Sequence, residues 1–420
     1  MQIKLPYGRT VLAAEAPFDD VTVLEPRFVE GLADEARGFT GAVRSPIAAR
    51  ALSEIVGGRD KVAVLIPDIT RPFPARRILP WFFKELAHVP AANFTVIIGT
   101  GSHRANTPAE LQEMLGAEIV ARYRVVNHDA HDLQTMQPVG RRADGGSVCL
   151  NKEYAAADRR IVMGFIEPHF MAGFSGGYKA VMPGVADIDS IMYYHRAAVV
   201  GDPRSTWGVL EGNPTQELIR KLGALVPVDF CINVTLNRQR CITGFFCGDP
   251  RSAHLKGCEF ARASTMAACP RYFPVVITTN GGYPLDQNLY QSVKGLSAAA
   301  QIVAENGLII AACECADGFP SHGNFARLMF AHDAPQSILA TILKPGFKMF
   351  DQWEAQLLAM IQVRARVALF SALPADDVRR AHLDYVANLD EYLASAMRRL
   401  GKNTPVAVLP EGPLTIPYVQ

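Results

Sequence analysis

The sequence predicts an α/β protein of two domains, each built on a mainly parallel sheet, with the active site in the cleft between them. Three observations carry that expectation. Residues 62–66 (VAVLI), 94–98 (FTVII) and 160–165 (RIVMGF) are continuous apolar runs, the pattern of strands covered on both faces. Helix-patterned segments separate these runs. A second cycle of the same alternation begins after residues 269–274 (CPRYFP), where two prolines break the pattern.

In chain order, residues 1–40 read as short strands and loops, and 46–56 as a helix with Ser45 as its N-cap. The strand 62–66 is followed by a helix over 75–86, a strand over 94–98, a helix over 108–115 and a strand over 123–126. After the strand 160–165 and a long polar loop comes a helix over 213–222, with Pro214 in its first turn. Strands over 229–236 and 241–246 and a long helix over 251–268 complete the first cycle. The second cycle reads strand 275–279, helix 288–305, strand 307–312, helix 351–363 and strand 365–370. Helices over 379–385 and 391–400 and a strand over 405–409 end it. The expected division is 1–270 and 271–404, with 405–420 free to return to the first domain.

Composition excludes several classes. The chain has 420 residues, 49% hydrophobic, enough for two large cores. Its formal net charge is +1, with no basic block, so nucleic acid is not an expected partner. No apolar run approaches the roughly 18 residues a membrane span needs, and a cytoplasmic protein is expected. None of the eight cysteines forms a CxxC pair, and their apolar contexts suit buried, reduced thiols.

Loops leaving the C-terminal ends of α/β strands carry ligand sites. The richest such loop is 167–196, which holds His169, Lys179, His195 and the small residues Gly173, Ser175, Gly176 and Gly177. A lone histidine is more often structural than catalytic, but here several chemistry-bearing side chains share one segment. Residues 68–74 (DITRPFP) bring Asp68 and Arg71 to another strand end. Residues 99–104 (GTGSHR) add His103, after glycines that let backbone N–H groups approach an anion. Residues 280–295 (NGGYPLDQNLYQSVKG) place Tyr290 and Lys294 one helical turn apart, with Gln291 beside them.

These residue types fit a small anionic substrate with a proton to move. Arg71 or Lys294 can hold a carboxylate, and His103 and His169 can act as acid–base partners. His195 can ligate a metal through a neutral ring nitrogen, but one histidine is too few for a protein-only site, so a cofactor must supply the other ligands. Arg76 and Arg77 either meet a second carboxylate or lie on the solvent face of the next helix. No GxGxxG follows the first strand and no Walker A pattern occurs, so a standard NAD or ATP site is unsupported.

Taken together, DITRP, GTGSHR, EPHFMAGFSGGYKAVMPG and NGGYPLDQNLYQSVKG resemble the nickel-dependent lactate racemase family, in the family's order and over nearly the whole chain. The resemblance implies a nickel-pincer nucleotide, a pyridinium mononucleotide that carries nickel through one carbon and two sulfurs. It implies covalent attachment of this cofactor to Lys179 and nickel ligation by His195. His103 and His169 match the family's acid–base pair, and Arg71 its substrate-side arginine. Asp68 matches the acid of the DxTR motif, placed here on the cofactor side. Tyr290, Gln291 and Lys294 match substrate-binding residues, and Trp353 an aromatic near the cofactor. Gly173, Ser175, Gly176 and Gly177 match the turn expected at the nucleotide phosphate. Lactate-type members often carry Arg and Asn where this chain has Tyr178 and Tyr194.

The implied reaction interconverts the C2 stereoisomers of a 2-hydroxy acid (lactate, malate or a relative) by reversible hydride transfer. The implied partners are that substrate and, transiently, the proteins that make the cofactor. Two other readings stand beside it. A 2-hydroxy acid dehydratase or dehydrogenase would release net product without racemising. A non-catalytic carrier of the nucleotide would not need His103 and His169.

Overall fold

The computed structural model describes residues 1–320 and 323–420. Two six-stranded sheets organise it. The first runs, in space, Ile242–Gly248, Phe230–Leu236, Arg159–Phe165, Val62–Pro67, Phe94–Gly99, Arg124–Asn127. All neighbours are parallel except the outer pair Phe230–Leu236 and Ile242–Gly248. The second runs Asp384–Val386, Arg366–Phe370, Val303–Ala312, Phe273–Thr279, Val406–Leu409, Val21–Val23, parallel throughout. Residues 62–66 and 275–279 are wholly buried, as strands covered on both faces must be.

Each sheet has one point where the strand order reverses. Val62–Pro67 sits between Phe94–Gly99 and Arg159–Phe165. Phe273–Thr279 sits between Val303–Ala312 and Val406–Leu409. Such switch points leave a crevice at the C-terminal strand ends. Asp68, Glu167 and Asn280 are the first polar residues beyond three of these ends.

Several expected elements are corrected. The segment 46–56 is not a helix, apart from the single turn Leu52–Ile55. The helix is Glu35–Arg44, which begins inside the stretch 1–40 read as strands and loops; Asp34 caps it by accepting from Arg37 N–H, and Phe39 and Val43 form its buried stripe. Pro46 pushes the residue before it out of the α region, so Ser45 ends that helix and does not begin another. The expected helix 251–268 stops at Thr265, because Met266–Cys269 pairs in parallel with Ile416–Val419. The helix 288–305 stops at Ala300, and the strand Val303–Ala312 begins early. The segment 379–385 is the end of a helix Ala375–Arg380 followed by the edge strand Asp384–Val386. Acidic residues at that helix's start and Arg379 and Arg380 at its end follow the helix dipole.

The chain ends also differ from the expected division. Val406–Leu409 lies inside the second sheet, and Val21–Val23 extends it beyond. The hairpin Gln2–Tyr7 with Thr10–Glu15 packs Ile3, Leu5 and Ala14 against Val275, Ile277 and Val406 of that sheet. A two-stranded hairpin cannot bury its own apolar face, so it takes the nearest sheet's.

One apolar cluster crosses between the halves, joining Phe170, Phe174 and Trp207 to Val293, Leu296 and Leu358. Trp207 donates to Ser297 Oγ at 3.0 Å and Gln356 to the Ala197 carbonyl at 2.9 Å. The cleft walls are therefore fixed to each other by packing. Six of the eight cysteines are buried and all are free. Among the described residues no helix is long and apolar enough to cross a membrane.

Candidate active site

Asp68 follows Val62–Pro67 directly and is 4% exposed. One of its oxygens accepts from Thr70 N–H at 2.8 Å and from the Thr70 hydroxyl; the other is 2.7 Å from His103 Nδ1. Burial alone would raise this carboxyl. The hydrogen bond and charge of His103, the Arg71 guanidinium and Thr70 outweigh it and bring the pKa to about 2. Asp68 is thus a carboxylate that only accepts, and His103 donates from Nδ1. In the neutral tautomer this leaves the lone pair on the other ring nitrogen, Nε2. The His103 side chain remains 38% exposed.

The GTGSHR turn works differently from expectation. Gly101 N–H donates to the Gly184 carbonyl at 3.0 Å, and a side chain at Gly101 would meet Pro183 at 3.4 Å. The glycine supplies a φ of +58°, and its N–H is spent on the protein's own backbone rather than left open to an anion.

The loop after Arg159–Phe165 folds back at once. Pro168–His169 pairs antiparallel with Gly173–Phe174. Gly173 has φ +75°, and a side chain there would sit 2.1 Å from the Val209 carbonyl. Ser175 braces the loop: its hydroxyl donates to the Phe165 carbonyl at 2.9 Å and accepts from Glu167 N–H at 3.0 Å. Gly177 N–H donates to Asn233 Oδ1 at 3.0 Å, and His254 Nε2 donates to the Ser175 carbonyl at 2.9 Å. A side chain at Gly176 or Gly177 would meet Ile166 or His254 at 2.8 Å. Ser175 and Gly177 are therefore engaged by the protein itself. The turn's visible work is to carry Lys179 into the cleft.

Lys179 lies in the single turn Gly177–Ala180. Burial, then the positive charges of Arg71 and Lys294, lower its pKa to about 7, against the pull of Glu167. Glu167 itself is raised by burial, with Arg71, Lys294 and Lys179 acting the other way. His169 is held neutral: burial first, then Lys179, Lys294, Arg71 and His195, press its pKa well below the usual value. Its Nδ1 accepts from Met171 N–H at 3.2 Å and Ala172 N–H at 3.1 Å, and its ring stacks on Phe170.

His195 ends the helix Ile188–Tyr194, which Asp187 caps by accepting from Ser190 N–H. Its Nδ1 donates to the Ile191 carbonyl at 3.0 Å, so Nε2 keeps a free lone pair. Burial lowers its pKa to about 3, with Lys179 adding to the effect and the Ile191 carbonyl opposing it. The ring stacks on Trp353 at 4.4 Å and packs against Tyr194 at 4.0 Å. Among the described residues no three of His, Cys, Asp and Glu converge as a metal-binding group.

The second half supplies the opposite wall. Asn288 caps the helix Leu289–Ala300 and so fixes Tyr290, Gln291 and Lys294. Trp353 donates to the Tyr290 hydroxyl at 3.0 Å. Lys294 Nζ donates to Gln291 Oε1 at 2.7 Å. Burial and then Arg71 lower the Lys294 ammonium, while burial raises the Glu354 carboxyl beside it, each tempered by the other's charge. Arg76 and Arg77 do not join this group. Arg77 pairs with Glu35 at 2.7 Å, and Arg76 lines a separate surface cavity of 640 Å³ beside Phe83 and Leu115.

Sequence reasoning missed Glu167, Asn233, His254 and Glu354. Glu167 stood in the quoted EPH motif. Asn233 interrupts an apolar strand, the pattern of a buried polar group with a partner. His254 and Glu354 lie on helices with no local signal.

Comparisons with known proteins place the chain in a family. Residues 7–208 match the lactate racemase N-terminal domain and residues 271–416 the lactate racemase C-terminal domain. The lactate racemase of Thermoanaerobacterium thermosaccharolyticum is 34% identical over 98% of this chain and 97% of its own. That of Lactiplantibacillus plantarum is 33% identical over 98% of each. The solved structure of the T. thermosaccharolyticum lactate racemase apoprotein superposes with a TM-score of 0.92 at 32% identity, covering 99% of this chain and 100% of that one. A Thermotoga maritima protein shares the fold, with a TM-score of 0.70 at 17% identity over 92% of this chain and 98% of its own. With both domain models matched in order and full-length relatives above 30% identity, the chain belongs to the lactate racemase family and is an isomerase.

Proposed function

We propose that this enzyme racemises a small 2-hydroxy acid, lactate first among the candidates, using a nickel-pincer nucleotide attached to Lys179. The observation that carries the reading is the convergence of two histidines anchored through Nδ1, His103 and His195, with three half-buried basic side chains, Arg71, Lys179 and Lys294, at one cleft. The residues fit the cofactor. Lys179 is a half-buried amine with a pKa near neutrality, as a nucleophile requires. His195 offers a free Nε2 lone pair with its other nitrogen anchored, as a single protein ligand to a cofactor-borne metal would. Trp353 stacks on His195 and gives a bound ring an aromatic neighbour. When bound, such a group supplies the acceptor and donor for the C2 hydride.

The chain's own residues handle charge and protons. Arg71 and Lys294 hold the carboxylate, with Gln291 and Tyr290 orienting it. His103 accepts the hydroxyl proton of one enantiomer at Nε2, and Asp68 steadies the resulting imidazolium. His169 serves the opposite enantiomer. With Arg77 engaged by Glu35 and Arg76 on a separate cavity, neither arginine is placed for a second carboxylate, which favours lactate over malate. The chain receives its cofactor from the proteins that make it.

The test is a chirality-resolved screen of pure 2-hydroxy acid enantiomers with cofactor-loaded protein. A 1:1 mixture from either enantiomer is expected, slowed roughly 10²–10⁴-fold by His103→Gln. Net release of keto acid or dehydrated product without inversion would make the enzyme a dehydrogenase or dehydratase. No turnover of any substrate would favour a carrier.

A further inference from the structure

We propose that the two acid–base histidines are not equivalent in the resting protein: His103 presents a lone pair to the cleft, whereas His169 presents an N–H and becomes a base only after the 170–172 backbone releases its ring. This rests on the racemase reading but concerns a property of the unloaded chain.

The argument is one of donors and acceptors. A ring nitrogen facing a carboxylate must carry the proton, so His103 Nδ1, 2.7 Å from the Asp68 carboxylate, is N–H and Nε2 is the acceptor. A ring nitrogen facing two backbone N–H groups must carry the lone pair. His169 Nδ1 faces Met171 N–H at 3.2 Å and Ala172 N–H at 3.1 Å. Its proton is therefore on Nε2. Turning the ring over would put a carbon against those two amides and leave both without their acceptor. Protonating both nitrogens would set an N–H against two N–H groups in a site already ringed by Lys179, Lys294 and Arg71. The tight pairing of Pro168–His169 with Gly173–Phe174 holds the amides in place, and the Phe170 ring stacked on the imidazole limits its rotation.

A neutral imidazole fixed by backbone amides as a hydrogen-bond donor is a good electrophile toward a substrate oxygen and a poor base. An enantiomer whose hydroxyl proton goes to His103 finds its base ready. The other must wait for the 170–172 amides to let Nδ1 take the proton, so that Nε2 opens.

The experiment is two-bond ¹H–¹⁵N correlation on full-length, unloaded protein labelled at its ten histidines. The His169 signals are assigned by their absence from His169→Asn and, independently, from His169→Gln. The Nε2–H tautomer is expected for His169 and the Nδ1–H tautomer for His103. Asp68→Asn should alter the His103 pattern and leave His169 unchanged. In loaded protein, single turnovers should start roughly tenfold or more slowly from the enantiomer that His169 deprotonates, the cost of releasing two hydrogen bonds. An Nδ1–H tautomer at His169 in a protein that does racemise overturns this inference and leaves the racemase reading intact. An Nε2–H tautomer in a loaded protein that racemises nothing upholds the assignment and removes the racemase reading.

Discussion

At the end of Val62–Pro67, polar groups are pinned by short hydrogen bonds: Asp68 to Thr70 and His103, and in the neighbouring loop Ser175 to Phe165 and Glu167. Beyond Phe273–Thr279 hydrogen bonds are as frequent, with Asn280 bound to the Gln291 carbonyl and the Gly295 N–H and Tyr290 accepting from Trp353, but they fix backbone and neutral groups rather than ionisable ones. Lys294 has one side-chain hydrogen bond, to Gln291, and lies beside the Glu354 carboxyl, which burial raises against the pull of the lysine. The contrast lies in which groups are pinned. The first half anchors the rings of its histidines by hydrogen bonds, while the positive charge at the cleft comes from both halves, Arg71 and Lys179 from the first and Lys294 from the second.

The largest expected effect breaks the first half. Lys179→Ala should remove cofactor attachment entirely, read as loss of the adduct in intact-mass spectra of protein made with the cofactor pathway. An equal adduct in the variant would move the attachment elsewhere. Since its pKa is lowered to about 7, the amine should react faster as pH rises from 6 and level off above 7. His195→Ala should keep the adduct and lose nickel, which elemental analysis separates.

Next in size is Arg71→Ala. A charge-assisted carboxylate contact is worth about 1.5–3 kcal/mol, so kcat/KM should fall roughly ten- to a hundredfold for every substrate. Unchanged kinetics would leave the carboxylate to Lys294 and place substrate charge recognition wholly in the second half.

The smallest effect concerns stability. Burial keeps His128, His195 and His254 neutral, with pKa values lowered to about 4, 3 and 4. The unfolded chain binds protons near pH 6.5 and the folded one does not, so stability is full above 6.5 and is lost as pH falls toward 4. His254→Gln can still donate to the Ser175 carbonyl and should remove about 2 kcal/mol of the loss between pH 7 and 5. Urea midpoints at the two pH values measure it. An unaltered slope would mean that folding does not change proton binding at His254.

Much of this was legible because the strands are buried on both faces. Continuous apolar runs located Val62–Pro67, Phe94–Gly99 and Arg159–Phe165 to within a residue or two, and polar residues just past them marked the site. What failed was local signal overridden from a distance. Residues 266–268 continued a helical pattern, but a strand from the C-terminal tail claims them. The anion nest read into GTGSHR was lost because Gly184, some eighty residues later, takes the glycine N–H. His254 gave no local signal and Asn233 only the break it makes in an apolar strand, because both act through Ser175 and Gly177.

The second sheet begins with one of the earliest strands and is completed by one of the latest. Val23 is in register with Val408, and Val21 with Val406. At roughly 5–20 residues per second, the early strand waits about 20–80 s during synthesis before its partner exists. The first sheet, made entirely from residues 62–248, can form long before then. The N-terminal hairpin must meanwhile stay unpaired without aggregating, and closing the second sheet is the step that ties the two ends of the chain together. A ribosome-stalled chain ending before Val406 should therefore hold a protected first sheet beside an N-terminal segment still open to protease.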